Sequence, residues 1–444
     1  MTLRSFHRSF LLLALAISSP VAGQEESAES QAILPLFDYS GNVGSRGYLS
    51  GDWNGARTAW AERGLTFDFQ WTQFAHGVVS GGIDEGWELP GSLDSVIRYD
   101  GLRAEVWPAL FTLRVESRYG ENVNDDTGTL LPANLDVAMP ITDPADDDIL
   151  ATITELNVVQ PLSGAWALVL GKVQTLDSDP SEFASGRGRD QFFQFPMVAN
   201  AVTALTVPYS TLAAGAVWTN GVGMNVSSLV MNTADSSTTT GFDDFGEGVT
   251  WATELQSQYN FWYFPGGQNL GLLYAFDGDY RRLGGKLQVT PSGVTAERES
   301  TSWAAYWTGW QYLVIDANAK EPDSIQAGDA HPDLEGLGVF ARLGIADEDT
   351  NPIEWAGSVG LGGRGPIDGR PDDCWGLGVF TNALEEPETT VIGALEDRSG
   401  GVEAFYSVPV APSAVLTADV QWLESAFDGV DDALLIGLRL NLTL

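Results

Sequence analysis

From Ala433 to Leu444 the chain alternates with a strict period of two. Leu434, Ile436, Leu438, Leu440, Leu442 and Leu444 fall on one face of an extended strand. Leu435, Gly437, Arg439, Asn441 and Thr443 fall on the other, which is polar apart from Leu435. Inside a bilayer every backbone N–H and C=O must be satisfied within the protein, so only helices and closed barrels can span it. A strand with one leucine face and one polar face suits a barrel whose outer wall meets lipid and whose inner wall meets water. A soluble sandwich strand alternates too, but such a chain rarely ends on its most lipid-like strand. The pattern predicts an all-β fold, a transmembrane antiparallel β-barrel.

The other end of the chain agrees. Arg4, His7 and Arg8 precede a short apolar run, Phe10 to Ile17, and Val21-Ala22-Gly23 offers small residues for cleavage. Residues 1–23 therefore read as a secretory signal peptide, whose apolar run is too short to cross a bilayer. No later stretch approaches the roughly 20 apolar residues of a transmembrane helix. Export leaves a periplasmic, secreted or barrel protein, and composition favours the barrel. There are 50 Gly for turns and close strand packing, and 15 Trp, 20 Phe and 12 Tyr for interfacial girdles. Trp71, Trp303, Trp307 and Trp422 sit near strand ends or on the outward parity, as girdle residues do. The single cysteine, Cys374, excludes an internal disulfide framework. A net charge of −38 excludes nucleic acid and anionic lipid as partners, because both need a basic footprint. The acid gathers in loops, as in Asp146-Asp147-Asp148 and Asp347-Glu348-Asp349, where it serves solvation or bridges divalent cations.

Residues 24–50 are polar and glycine-bearing and read as a flexible lead-in. Residues 51–64 read as a short N-terminal helix, capped by Asp52 or Asn54, with Trp53, Ala56 and Trp60 on one face and Gly64 at its end. The barrel is expected over 65–444, with about sixteen strands. The alternation places them at 65–76, 93–100, 109–119, 150–160, 165–175, 211–218, 223–232 and 249–263, then at 269–277, 302–315, 335–346, 355–362, 374–381, 400–408, 413–422 and 433–444. Connections at 77–92, 120–148, 176–210, 233–248, 278–301 and 382–399 are long. Those at 161–164, 219–222, 264–268 and 409–412 are tight turns carrying Pro or Gly. Long loops on one side and short turns on the other is the outer-membrane arrangement. The connection 316–334 breaks the alternation, being long where a short turn is due.

Four stretches resemble a known family. Leu49-Ser50-Gly51-Asp52-Trp53-Asn54-Gly55-Ala56-Arg57-Thr58, followed by Glu62-Arg63-Gly64, is similar to the GDW-x-G-x-R-T opening of carbohydrate-selective, OprB-type porins. Leu170-Gly171-Lys172 with Glu182-Phe183-Ala184-Ser185 resembles the family's strand and third loop. Gly336 to Arg342 through Gly369-Arg370-Pro371-Asp372-Asp373 resembles its GLGxFxR … GRxxD block. Glu403, Tyr406, Gln421, Gly437 and Arg439 resemble its ending. The resemblance covers roughly residues 49–444. It implies a sixteen-stranded outer-membrane porin that passes small carbohydrates, inserted by the outer-membrane assembly machinery. Two departures stand out: the chain ends on Leu444 where such barrels usually end on an aromatic, and loops 120–148 and 233–248 are unusually acidic. A homotrimer is compatible with the pattern, since a subunit interface would be apolar on the same face that meets lipid.

A porin makes no bonds, so its chemistry is selectivity, set by pore width, charge and aromatic surfaces. Arg114, Glu116 and Arg118 share the inward parity of one strand. They either set up a transverse field across the lumen or satisfy one another in a packed wall. Loop 176–210, by its position after the fifth strand, is the candidate constriction. It carries Asp177, Asp179, Glu182, Phe183, Arg187, Arg189, Asp190, Phe192 and Phe193, a mixture of acid, base and aromatic that suits a sugar-selecting eyelet. No catalytic residue, cofactor or metal site is expected: the chain has three histidines, no G-x-S-x-G and no H-E-x-x-H. Asn122, Asn124, Asp126 and Gly128 half-resemble a calcium loop, but Ala133 stands where its glutamate should be. The competing readings are a general or cation-selective porin, a secreted β-rich carbohydrate-binding protein or hydrolase, and a barrel enzyme dependent on His76 or His331.

Overall fold

The computed structural model describes residues 32–140, 150–176, 179, 181–204, 206–243, 245–283, 285, 287–290, 293–316, 334–385 and 395–444. Sixteen antiparallel strands form the barrel. They are β1 (Leu65–Gly82), β2 (Gly91–Asp100), β3 (Leu110–Tyr119), β4 (Leu150–Pro161), β5 (Trp166–Gln174), β6 (Ser210–Thr219), β7 (Met224–Asn232) and β8 (Val249–Phe261). The second half comprises β9 (Phe264–Phe276), β10 (Ser302–Ile315), β11 (Gly336–Ala346), β12 (Ile353–Arg364), β13 (Cys374–Leu384), β14 (Arg398–Ala411), β15 (Ala414–Leu423) and β16 (Asp431–Thr443). Each pairs with its neighbours in sequence, and β16 closes on β1 from Gln70↔Thr443 to Gly82↔Asp431. Closure removes both sheet edges.

The two faces differ as the alternation requires. On β16, Leu434, Ile436 and Leu438 are 37, 40 and 47% exposed, while Leu435, Arg439 and Asn441 between them are 0, 1 and 5% exposed. Leu435, the one large apolar residue on the inner face, packs with Val78, Val123, Ala133, Leu423 and Ala433. The outward residues of the other strands, such as Leu168, Leu270, Leu343, Val359 and Leu377, continue the apolar band, and Trp303 and Trp422 are exposed on the same face.

All sixteen expected strands are present, with their ends shifted by a few residues; β1 runs furthest past its expected end. The expected turn at 264–268 is a correction. The turn is Trp262-Tyr263, both at positive φ (48° and 73°), and Pro265, Gly266 and Gly267 belong to β9. Those glycines serve a different need: a Cβ on Gly267 would sit 2.5 Å from the Trp310 indole nitrogen across the strand pair. The loop between β9 and β10 carries two small ladders, Tyr280–Arg281 with Arg298–Glu299 and Leu287–Thr290 with Gly293–Ala296, that the alternation did not reveal.

The expected helix is shorter than Asp52–Arg63. A 3-10 turn, Trp53–Gly55, leads into an α-helix, α1, over Ala56–Ala61. Asp52 does act at its start: its carboxylate accepts from the Thr58 N–H and hydroxyl, both at 2.8 Å. Trp53 and Trp60 meet edge to face, and both pack at a tilt against Phe67 of β1. Arg57 is fully buried, with its guanidinium over the rings of Tyr39 and Tyr48 at 4.4 and 4.3 Å. It donates to the Leu444 carbonyl at 3.0 Å and to the Phe67 carbonyl, so α1 bridges the first and last strands at the seam.

The lead-in is a second correction. Its residues 32–50 are described, and they are held rather than loose. The Ile33 and Leu34 N–H groups both donate to one Asp100 carboxylate oxygen, at 2.6 and 2.8 Å. Their side chains are buried with Leu110, Val159, Ala167, Val169 and Val217 on the inner wall. An apolar inner patch next to water is unfavourable, and covering it is what fixes this segment.

Candidate functional site

The barrel interior divides into a packed side and an open side. The segment Ser181–Thr203, between β5 and β6, lies against the inner faces of β10–β16 and β1–β3. Phe183 packs beside Gly338 of β11 and Gly362 of β12, where a Cβ would come within 2.1 and 2.8 Å of its side chain. Phe192 fits between Phe340 of β11 and Phe405 of β14, and Phe193 meets Phe74 and His76 of β1. Burial of these rings favours docking, and the glycines make room for it.

Polar anchors fix the register of the same segment. Arg342 of β11 binds Asp179 at 2.9 Å and donates to the carbonyls of Met197 (2.7 Å) and Ala184. Glu403 of β14 accepts from the N–H groups of Phe193 and Gln194. Gln421 of β15 accepts from the Gln194 side chain at 3.3 Å. Arg439 of β16 donates to the Gly188 and Gln191 carbonyls at 2.6 and 2.9 Å. Every one of these wall residues belongs to the stretches that carried the family resemblance. Lys172, another, reaches the Ser236 and Thr239 carbonyls at 2.6 and 2.8 Å and so holds the next loop.

On the β2–β3 side the anchor is ionic. Arg118, Arg187 and Arg189 meet Asp94, Glu116 and Asp136, all of them buried. Arg118 binds Asp94 at 2.9 Å, Arg187 binds Glu116 at 2.7 Å, and Arg189 binds Asp136 at 2.5 Å and also Asp94. The Tyr209 hydroxyl donates to Glu116 at 2.8 Å. Burial pushes the Asp136 carboxyl up, but Arg189 and Arg118 outweigh it and hold the group below its ordinary 3.8. Three guanidiniums against three carboxylates balance, which such a cluster needs once it leaves water.

The expected site residues thus scatter. Glu116, Arg118, Arg187 and Arg189 come together, joined by Asp94, Asp136 and Tyr209, which the sequence reading missed. Arg114 stands apart and pairs with Glu155 at 3.0 Å. Asp179, Glu182 and Phe183 lie across the barrel, with Glu182 accepting from the Tyr312 hydroxyl at 3.1 Å. Asp190 is exposed, and Asp177 lies outside the described residues, as does His331. Asp94 sits on the inward parity of its strand and could have been found that way. Asp136 sits on a short helical turn of the second loop, Leu135–Ala138, which no periodicity marks.

The open side lies between this segment and the wall from β5 to β10. A cavity of roughly 100 Å³ there is lined by Gln174, Leu229, Met231, Glu254, Asn269 and Tyr306, among others. A second cavity, of roughly 220 Å³, adjoins it and shares Leu176, Thr203 and Val207. Among the described residues no arginine or lysine lines the first. Among the described residues no group of three His, Cys, Asp or Glu could hold a metal.

A closed sixteen-stranded barrel with an apolar outer band and a polar, solute-sized interior is an outer-membrane porin. Residues 108–444 match the carbohydrate-selective porin family, OprB, and the chain belongs to it. It is similar to Porin B of Pseudomonas aeruginosa, with 24% identity over 89% of this chain and 90% of that protein. The high-pH structure of Pseudomonas putida OprB superposes with a TM-score of 0.75 at 18% identity, covering 90% of this chain and 99% of that one. The low-pH structure of the same protein gives 0.56 at 15% identity, with the same coverage. The chain is therefore an outer-membrane channel for carbohydrates, and the secreted-protein and enzyme readings fall away.

Proposed function

We propose that sugars cross the barrel along the β5–β10 wall, and that the third loop, between Gln174 and Ser210, narrows the lumen by filling the opposite side. The observation that carries this reading is the split interior. Apart from the exposed Asp190, the charges and aromatics of Ser181–Thr203 are spent on the wall they touch, whereas the other wall keeps a cavity with carboxylate, amide and hydroxyl groups beside aliphatic ones. That combination suits a pyranose, which has hydroxyls at its edge and C–H bonds on its faces. In this reading Glu116, Arg118, Arg187 and Arg189 position the loop, Arg114 braces the wall through Glu155, and none of them touches solute. Residues 1–23 direct export, and the assembly machinery inserts the barrel.

Cysteine labelling tests the path. On a Cys374→Ser background, Ser227→Cys and Ala252→Cys place thiols on the open wall, and Thr417→Cys places one on the packed wall. A charged thiol reagent should lower ion current and glucose flux at 227 and 252 and leave the 417 variant unchanged. Block at 417 with none at 227 or 252 would refute the path.

A further inference from the structure

Two short rows of inward residues cross β8, β9 and β10 beside the open cavity. Strand register aligns Glu254, Gly271 and Tyr306 in one row and Gln256, Asn269 and Thr308 in the next. Gly271 is what lets the first row work. A Cβ there would lie 2.1 Å from the Tyr306 ring, so only glycine allows that ring to lie along the wall. Its hydroxyl then donates to Glu254 Oε2 at 2.6 Å. Asn269 Nδ2 donates to the same oxygen at 3.0 Å, and Gln256 Nε2 donates to Oε1 at 2.7 Å. No arginine or lysine among the described residues pairs with this carboxylate.

The second row is left with unused valence. Asn269 and Thr308 are 2% and 1% exposed, yet among the described residues no group hydrogen-bonds Asn269 Oδ1 or Thr308 Oγ1. Both residues line the cavity. Buried polar atoms in a folded chain are nearly always partnered, so a pair of orphans on one cavity wall marks a place for a partner from outside. Glu254 has about four acceptor positions and three incoming donors, which leaves one more.

We propose that Glu254, Asn269 and Thr308 form a hydroxyl-binding subsite for neutral sugars, and that Glu254 makes the passage unfavourable for sugar acids. The proposal rests on the solute path given above. Glu254 and Asn269 offer acceptors to sugar O–H donors, and Thr308 can donate or accept. Leu229, Met231 and Leu273 face the C–H side of the ring. Tyr306 and Gln256 are positioning residues that hold the carboxylate. With no arginine or lysine among the described lining residues, a sugar carboxylate at this point would be repelled by Glu254.

The test compares Glu254→Gln, Asn269→Leu and Thr308→Val with the parent protein in planar bilayers and liposomes. The readouts are glucose occlusion of the ion current, and flux of D-glucuronate relative to D-glucose. Asn269→Leu and Thr308→Val should each weaken glucose occlusion about three- to tenfold, the worth of one neutral hydrogen bond. Glu254→Gln should raise the glucuronate-to-glucose ratio about tenfold, the effect of one charge at several Å in a partly aqueous pore. Conductance within about twofold of the parent's shows that each barrel has closed, since these substitutions leave its diameter unchanged. Unchanged occlusion together with an unchanged ratio in intact channels overturns the subsite. If labelled Ser227→Cys conducts normally, the path itself is wrong and the subsite falls with it.

Discussion

Glu116→Gln keeps the shape of its side chain and removes one charge from a buried cluster of six. Three guanidiniums, those of Arg118, Arg187 and Arg189, would then face only Asp94 and Asp136. Glu116 accepts from Arg187 at 2.7 Å and from Tyr209 at 2.8 Å, and lies 3.4 Å from both Arg118 and Arg189. Breaking a buried ion pair by removing one partner costs about 3–5 kcal/mol. The barrel need not absorb that cost, because two of the three arginines sit on the docked loop. Undocking the loop returns them to water, so the docking equilibrium should shift by a hundred- to several-thousandfold, at about 1.4 kcal/mol per tenfold. Limited proteolysis near Gly186–Gln191 reads this directly, and current noise in a planar bilayer reads it in the working channel. Glu299→Gln is the control. It touches an exposed network, Glu299 with Arg282 at 3.2 Å, where water and salt already screen the pair. If Glu116→Gln is cut no faster and is no noisier than Glu299→Gln, the ionic cluster does not hold the loop.

Three further predictions follow from the same contacts. Asp136 has its folded-state value depressed below 3.8 by Arg189 and Arg118, so its contribution to docking is full above about pH 4 and is lost as pH falls through that lower value. Current noise and proteolysis should therefore rise as pH falls below about 4, and the absence of any rise there would contradict the assignment. Arg57→Ala removes two charge-assisted hydrogen bonds at the seam and a cation over two tyrosine rings, a loss of about 3 kcal/mol. It should lower the unfolding midpoint in urea while leaving conductance of the folded channel unchanged. Gly376→Ala would place a Cβ 2.5 Å from Phe405 and 2.7 Å from Phe192, an overpacking cost of about 1–3 kcal/mol. Adding Phe405→Leu should recover part of it, and no recovery would mean that the backbone, not the rings, resists the methyl.

The strands were legible because a membrane barrel leaves little freedom. Lipid outside and water inside demand alternation, and that alternation marked all sixteen barrel strands between Leu65 and Thr443. Parity also placed Arg114, Glu116 and Arg118 on the inner face. What parity cannot tell is whether an inward residue meets solvent or another part of the chain. Glu116 and Glu254 look alike in sequence, yet among the described residues one is surrounded by three arginines and the other has none. That difference depends on a loop contributed from elsewhere, and loop docking follows tertiary fit rather than period. Glycine misled for a related reason. Gly266 and Gly267 read as a turn, but they clear space for Gln311, Tyr259 and Trp310, while the turn falls on two aromatics. Ile33 and Leu34 looked like part of a loose tail because the apolar patch they cover is assembled from β3 to β7.

The central claim is selective passage of sugars through this barrel, and solute flux from proteoliposomes measures it most directly. Detergent-purified protein reconstituted into liposomes should pass D-glucose faster than non-sugar solutes of matched size, with flux that saturates as glucose rises. Equal, non-saturating rates for sugars and size-matched non-sugars would contradict the account, leaving a barrel without a sugar-selecting interior.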